Sequence, residues 1–384
     1  MSLTRRSFGI GVAALAAAPA RAAEVPFVAA LLGQMAALGD GPVLLNSYLI
    51  EPGARGDAFD LTQADAAYVY DNALAGLFLL AAGQRAAALR IGQALALAQA
   101  HDRKFTDGRL RNAYAAGVMS TPAKLPGFWD KKAGQWDEDP YQVGTDTGPM
   151  AWAMLLWVAL GMKAPADNAG HFLDAALRAP SGYYGGFYGF DNAQQRLLWQ
   201  STEQNTDLAA AFRALGRPED EAHAAAFVRA MYNAKTREFG SGTTPDGHKN
   251  TLLAADAGLW PYLAGLGDAA SALAAINALQ HGAGIGFSTA SKGIWLEGTG
   301  FAALALRQMG NALAAQFLQT VRANVSPRGY VYATVAASMA TGLSVGPALR
   351  KNQQEQAFTY YRRPALSATS WAGLAMLGVN PLAG

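Results

Sequence analysis

Apolar positions along this chain come in long blocks, each opened by a few polar and aromatic residues and closed by glycine. The clearest block starts at Tyr68 and reads Tyr-Val-Tyr-Asp-Asn-Ala-Leu-Ala-Gly-Leu-Phe-Leu-Leu-Ala-Ala before Gly83. Its lack of a polar face predicts a buried helix, and Gly83 suits a left-handed cap at the C-terminus. A second, alanine-rich helix is predicted over 86–99, followed by a turn at Asp107-Gly108 and an aromatic stretch ending at Tyr114. The same grammar recurs along the chain. Apolar helices are predicted over 148–161, 202–216, 252–265, 295–310 and 365–378, with partner helices over 169–177, 219–232, 269–279 and 312–321. Helix 26–38 is available to pair with the last apolar one.

A helix without a polar face must be buried, so one member of each pair forms an inner layer and the other an outer layer. Six of each close into an all-α (α/α)6 toroid, the expected fold, as a single domain over 23–384. An open superhelix of helical pairs is the rival, but such arrays keep a shorter and stricter period. Here the starts of the inner helices lie 43 to 80 residues apart. Long insertions at one end of the inner helices suit a ring whose loops build a cleft.

The first residues change the charge balance. Thr4-Arg5-Arg6-Ser7-Phe8 puts an arginine pair before a weakly apolar run, and Ala20-Arg21-Ala22 offers a small-x-small cleavage site. Residues 1–22 are therefore expected to be a twin-arginine export leader, giving a periplasmic or secreted protein that begins near Ala23. The leader holds three arginines and no acid, so 30 basic against 28 acidic residues become 27 against 28 without it. That balance gives no electrostatic case for nucleic acid. No later stretch runs 18 apolar residues free of charge, so a soluble protein without membrane insertion is expected, as a monomer. With no cysteine, disulfides and thiol catalysis are excluded. The five histidines (His101, His171, His223, His248, His281) lack metal-ligand spacing, and no metal or other cofactor is expected. Gly342-Leu343-Ser344-Val345-Gly346 matches a nucleophile elbow in letters only, since no histidine follows it.

Chemistry is concentrated where the inner helices begin. Polar and aromatic clusters open them at Tyr68-Val69-Tyr70-Asp71-Asn72, at Thr145-Asp146-Thr147, from Trp199 to Asp207, at Asp256, and at Trp295-Leu296-Glu297. In a ring these ends share one face, so carboxylates from different helices converge on a cleft lined by indoles and phenols. Flat rings stack on sugars and paired carboxylates do acid and base work, which makes a carbohydrate the expected ligand. Ordinary helix capping accounts for such residues one at a time, and Ser201 with Gln204 has capping-box spacing. Glu203 and Asp207 are harder to dismiss. Four apart on one helical face, they repel, and repulsion raises the pKa of one of them as a general acid requires. The expected catalytic set is Glu203 as acid with Asp71 or Glu297 as base, in an inverting glycoside hydrolase. Tyr68, Asn72, Arg111, Asp146, Trp152, Trp199, Asn205, Asp207 and Trp295 are expected to bind sugar, with Trp129 and Trp136 from the long insertion 117–147 as further platforms.

The Tyr70-Asp71-Asn72-Ala73-Leu74 opening, the turn Asp107-Gly108-Arg109-Leu110-Arg111-Asn112-Ala113-Tyr114 and the run Ser201-Thr202-Glu203-Gln204-Asn205-Thr206-Asp207 resemble the six-hairpin glycosidase superfamily. So do Trp295-Leu296-Glu297-Gly298-Thr299 and the closing Ala368-Thr369-Ser370-Trp371 with Gly378-Val379-Asn380-Pro381. The resemblance spans nearly all of the chain after the leader and implies one complete (α/α)6 unit. It is less specific for activity, because the superfamily includes hydrolases, lyases and epimerases. Two rivals therefore stand beside the hydrolase. One is a polysaccharide lyase drawing on Tyr68, Asn205, His248 and Arg111. The other is a glycan-binding protein of the same fold.

Overall fold

The computed structural model describes residues 26–50, 58–347 and 357–383, so the expected leader lies outside the described residues. The fold is mostly helical, with thirteen helices and small sheets of two or three strands among the described residues. After α1 (Pro26–Ala37) and the short α2 (Ala58–Gln63), helices come in pairs: α3 (Val69–Ala81) with α4 (Arg85–Ala100), and α5 (Thr147–Leu160) with α6 (Lys163–Leu177). They continue as α7 (Thr202–Leu215) with α8 (Pro218–Ala230), α9 (Ala255–Leu263) with α10 (Ala269–Leu279), and α11 (Leu296–Gln308) with α12 (Leu313–Arg322), ending on α13 (Leu366–Leu377).

The first member of each pair is buried on every side. In α5 burial is unbroken from Met150 to Trp157, whereas α12 buries only Ala314, Phe317 and Val321, one stripe of an amphipathic helix. The buried helices pack in chain order, α3 on α5, α5 on α7, α7 on α9, α9 on α11 and α11 on α13, and α13 packs back on α3. Helix α1 lies against α13. The contact of α13 with α3 is close because Gly373 has no side chain: a Cβ there would sit 2.2 Å from the Phe78 ring. Gly161 and Gly378 end α5 and α13 in the left-handed region (φ 78° and 74°), where their N–H groups still reach the last-turn carbonyls.

Several buried helices begin directly from a strand, so small sheets form a rim on that side. Ala66–Tyr68 pairs with Ala113–Ala115 before α3, and Thr145–Asp146 pairs with Gly186–Tyr188 before α5. Gln200–Ser201 pairs with Gly242–Thr243 before α7. The insertion 117–147 carries a hairpin, Phe128–Asp130 with Gln135–Asp137, in which Trp129 lies opposite Trp136. Ser344 ends a strand, Ser338–Ser344, and the next described element is its hairpin partner Ala357–Tyr361, so no nucleophile elbow is formed. No helix among the described residues is long and apolar enough to cross a membrane.

Candidate active site

The second residues of the buried helices are Tyr70, Gly148, Glu203, Asp256, Glu297 and Ser367; the sixth residues, one turn deeper, are Leu74, Trp152, Asp207, Trp260, Phe301 and Trp371. Residues four apart share a helix face, so the two sets stack as layers. The deeper layer is an aromatic plug. Rings of Trp152, Trp260 and Trp371 lie 5.4 to 5.9 Å apart, and Phe301 is 5.6 Å from both Trp260 and Trp371. Asp207 is the one carboxyl at that depth. It is 0% exposed, and neither of its oxygens has a hydrogen-bond partner. The Trp152 indole N–H is the donor nearest in effect, without reaching bonding geometry.

The upper layer is acidic. Tyr70 donates its phenol proton to Glu297 Oε1 at 2.6 Å, Ser367 donates to Oε2 at 2.8 Å, and the Trp371 indole N–H donates to the Tyr70 oxygen at 2.8 Å. Burial, and then the charge of Asp71, push Glu297 up to about 8 despite those two donors. Burial alone pushes Asp71 and Asp146 up to about 7, and Asp256 up to about 6, where the Ala257 N–H bonding Asp256 Oδ1 at 2.6 Å pulls the other way. Glu203 is raised well above the carboxylate range by burial, then by Asp256, Asp207, Glu297 and Asp146. It is nevertheless only partly buried by surface area, and among the described residues nothing hydrogen-bonds its carboxyl. Accessible on one side and enclosed on the others, it stands at the mouth.

Phenols complete the wall. Tyr48, Tyr68, Tyr70, Tyr141 and Tyr360 are all partly exposed, and burial followed by neighbouring acids raises each, so they stay protonated donors. No Lys, Arg or His is among the groups acting most strongly on the six carboxyls. Among the described residues no three acids or histidines are close enough to hold a metal ion.

The expected binding residues divide. Tyr68 and Asp146 lie at this mouth, and Trp199 is partly exposed on the rim, its ring flat against Gly185, where a Cβ would meet it at 2.6 Å. Trp152 and Trp295 are buried beneath, at 1% and 2% exposed. Asn72 and Asn205 are corrections, because their amides are fully used as latches. Asn72 bonds the N–H and carbonyl of Leu45 and the carbonyl of Tyr68; Asn205 bonds those of Tyr183 and the carbonyl of Ser201. Thr299 and Thr369 stand at the same helix position and do the same job for Ile285 and Val331.

Arg111 is a correction too: it is buried in ion pairs with Asp102 (2.6 Å) and Asp191 (2.5 Å) and cannot meet a sugar. His248 is highly exposed beside Asp246 on the Gly242–Asn250 hairpin. Ser201 accepts the Gln204 N–H at 3.2 Å, but the Gln204 side chain accepts the Thr147 hydroxyl instead of closing the capping box. Tyr48, Tyr141, Asp256 and Tyr360 were outside the expected set; Asp256 carried a signal in its place as second residue of a buried helix, and Tyr141 in its place among the aromatics of the insertion 117–147.

No family model matches the sequence, and no curated protein matches it. Solved structures do. A glycosidase variant in complex with glucose superposes with a TM-score of 0.58 at 13% identity, covering 95% of this chain and 98% of that one. A sugar epimerase from a ruminal bacterium gives 0.58 at 10% identity, covering 93% and 99%. A D-mannose isomerase gives 0.54 at 12% identity, covering 94% and 99%. At such identities the likeness shows a shared fold and nothing of the reaction.

Proposed function

We propose that this chain is an exported glycoside hydrolase built on an (α/α)6 toroid, with its active site at the acidic mouth. The packing of α13 back onto α3 supports the closed ring. The observation that carries the function is Glu203: reachable at the mouth, free of hydrogen bonds among the described residues, and surrounded by four carboxyls that disfavour its anion. Such a group keeps a transferable proton at neutral pH, which is what a general acid needs. Asp71 is the base. Asp71 opens α3 and Glu203 opens α7, with α5 packed between the two helices, which supports a pair set apart. Inversion needs such a gap, roughly 6.5–9.5 Å, to admit water.

In the reaction Glu203 gives its proton to the glycosidic oxygen as the bond to the anomeric carbon breaks. A water polarised by Asp71 forms the new bond to that carbon and leaves its proton on Asp71. Glu297, locked by Tyr70 and Ser367, holds sugar hydroxyls with the phenols. The glycosidase fold and the glucose bound to that neighbour favour a sugar substrate over other chemistry. A lyase would need a cation to neutralise a uronate, and among the described residues no Lys, Arg or His is among the groups acting most strongly on these carboxyls.

The test is product analysis of residues 23–384 on a polysaccharide panel. New reducing ends of inverted configuration, without an ultraviolet-absorbing unsaturated end, are expected; unsaturated products, or an intact polymer throughout, defeat the reading. Export is tested separately: Arg5→Lys with Arg6→Lys is expected to trap precursor in the cytoplasm.

A further inference from the structure

The mouth has more acid than a hydrolase requires. Acid, base and an oriented third carboxyl account for Glu203, Asp71 and Glu297, leaving Asp146, Asp207 and Asp256 without a task. Protein interiors seldom leave buried acids uncompensated, because each costs several kcal/mol without a partner. Elsewhere in this chain acids drawn out of water have arginines: Asp102 and the partly buried Asp191 share Arg111, and the buried Asp60 holds Arg363. Here Asp207 is 0% exposed with neither oxygen bonded, and Asp146 is 5% exposed with Oδ1 unbonded. Asp256 is 5% exposed and is bonded by no side chain of the described residues; the Ala257 N–H is its donor. Once ionised, these acids lack a cation as partner. The carboxyls are close enough to repel one another, yet no three of the described acids or histidines are placed to chelate a metal ion. A single ammonium group, which needs directed acceptors and not a coordination shell, fits that spread of charge.

Resting on the reading of this mouth as a sugar site, we infer that the sugar bound there carries a free, protonated amine, received by Asp256 between Glu203 and Glu297. Asp256 is the charge acting most strongly on Glu203 and also acts on Glu297 and Tyr360, so a group seated on it lies inside the catalytic set. An amine there stabilises the ionised form of Asp256, whose carboxyl burial has pushed up to about 6, so binding releases its proton. N-acetylated sugars lack the charge, and uronates add a repelled one. The inferred substrate class is a glycan of 2-amino-2-deoxy sugars with unblocked nitrogen.

Calorimetry on residues 23–384 tests this without knowledge of the linkage. Glucosamine and galactosamine are compared with glucose, galactose, N-acetylglucosamine and glucuronate in mildly acidic buffer. The amines are expected to bind roughly tenfold or more tighter than the neutral sugars, with the advantage lost in high salt. Proton release, read from two buffers of different ionisation heat, is expected for the amines alone. Asp256→Asn is expected to remove the amine advantage. Neutral, acetylated or acidic sugars binding as tightly as the amines overturn the inference, as does failure of the amines to bind. If neutral glycans are cleaved without an amine preference, the inference fails and the hydrolase stands; if amines bind but no glycan is cut, the reverse holds.

Discussion

Two groups of buried acids in this molecule are treated in opposite ways. Below the rim, Asp102 takes both Nε and Nη2 of Arg111 at 2.6 and 2.8 Å, and the N–H groups of Lys104 and Phe105 besides. Asp191 takes Nη1 of the same arginine and Nε of Arg103, which also grips Glu138. Burial is the largest single effect on Asp102 and Asp191 and would raise them, but those hydrogen bonds and charges outweigh it and hold both below the usual range. At the mouth burial acts with no arginine against it, and every acid rises. The difference lies in the supply of a partner as well as in depth, since Asp102 and Asp191 are only partly buried. A network with its counter-charges in place holds loops together, while a cluster left without them is poised for something the protein does not itself contain.

Neutralising an acid at the mouth should have the largest effect on activity. Glu203→Gln keeps shape and removes the proton, so hydrolysis of an unactivated glycan is expected to fall by roughly 10²–10⁴-fold. The thermal midpoint should hold or rise, because the amide cannot ionise inside an acidic cluster. A substrate with a good leaving group should restore much of the rate. Near wild-type turnover would leave Glu203 as a sugar-binding or capping residue.

Neutralising the other region should do the reverse. Arg111→Met strands Asp102 and Asp191 in a buried site, and breaking a buried pair from one side costs about 3–5 kcal/mol. Urea unfolding should show that loss as a lower midpoint. A change below about 1 kcal/mol would mean the network is dispensable and the contrast with the mouth empty.

The sequence showed the two regions unequally. Inner helices were legible because all-round apolarity has one structural solution: α5 and α7 begin within a residue of the predicted starts, and α10 spans the predicted 269–279. Helix α6 begins at Lys163, six residues early, since Pro165 in its first turn reads as a breaker but is tolerated there. Acidic clusters at the helix starts were visible, with Tyr68 and Tyr70 among them; Tyr48 and Tyr360 were not, because they come from stretches without helical period. Arg111 was misplaced because its partner Asp191 lies 80 residues on. Asn72 and Asn205 looked like sugar contacts from their acidic neighbours. Their signal was positional, four residues after the helix cap, which Thr299 and Thr369 share.

The two regions should also answer pH in opposite senses. Asp71, Asp146, Asp256 and Glu297 hold protons in the fold up to about 6–8, where an unfolded chain loses them near 4. Their contribution is complete below the unfolded value and is lost as pH rises through the folded ones. Asp102 and Asp191 contribute above the unfolded value and fail as pH falls below it. The melting temperature is therefore expected to peak in mild acid and decline toward pH 8. Asp146→Asn should flatten the alkaline decline, gaining roughly 1–3 kcal/mol there and little in acid, since a tenfold change in proton affinity is about 1.4 kcal/mol. A melting profile flat from pH 5 to 8 in the wild type would show the mouth to be hydrated and relaxed.

The smallest effect concerns the hairpin that joins the two regions. Glu138, next to its second strand, is anchored by Arg103 at the edge of the network, while Trp129 and Trp136 face solvent at 56% and 54% exposed. Trp136 is propped on Gly127, where a Cβ would meet its Nε1 at 2.4 Å, so the paired indoles form a fixed surface. Directly after the hairpin the chain reaches Tyr141 at the mouth, which places that surface along one approach to the site. If the indoles extend the site, they touch sugar units beyond those over Glu203. Trp129→Ala with Trp136→Ala should then weaken long oligosaccharides about five- to tenfold, the scale of a lost aromatic contact. Disaccharides and activated monosaccharides should be cleaved as before, and stability should stay within about 1 kcal/mol, because little buried area is removed. Equal losses on short and long substrates would instead mean that the hairpin only supports the wall through Arg103 and Tyr141. Arg103→Met separates the cases: it loosens the anchor and keeps the indoles, so it should reproduce the double variant only if support is all the hairpin provides.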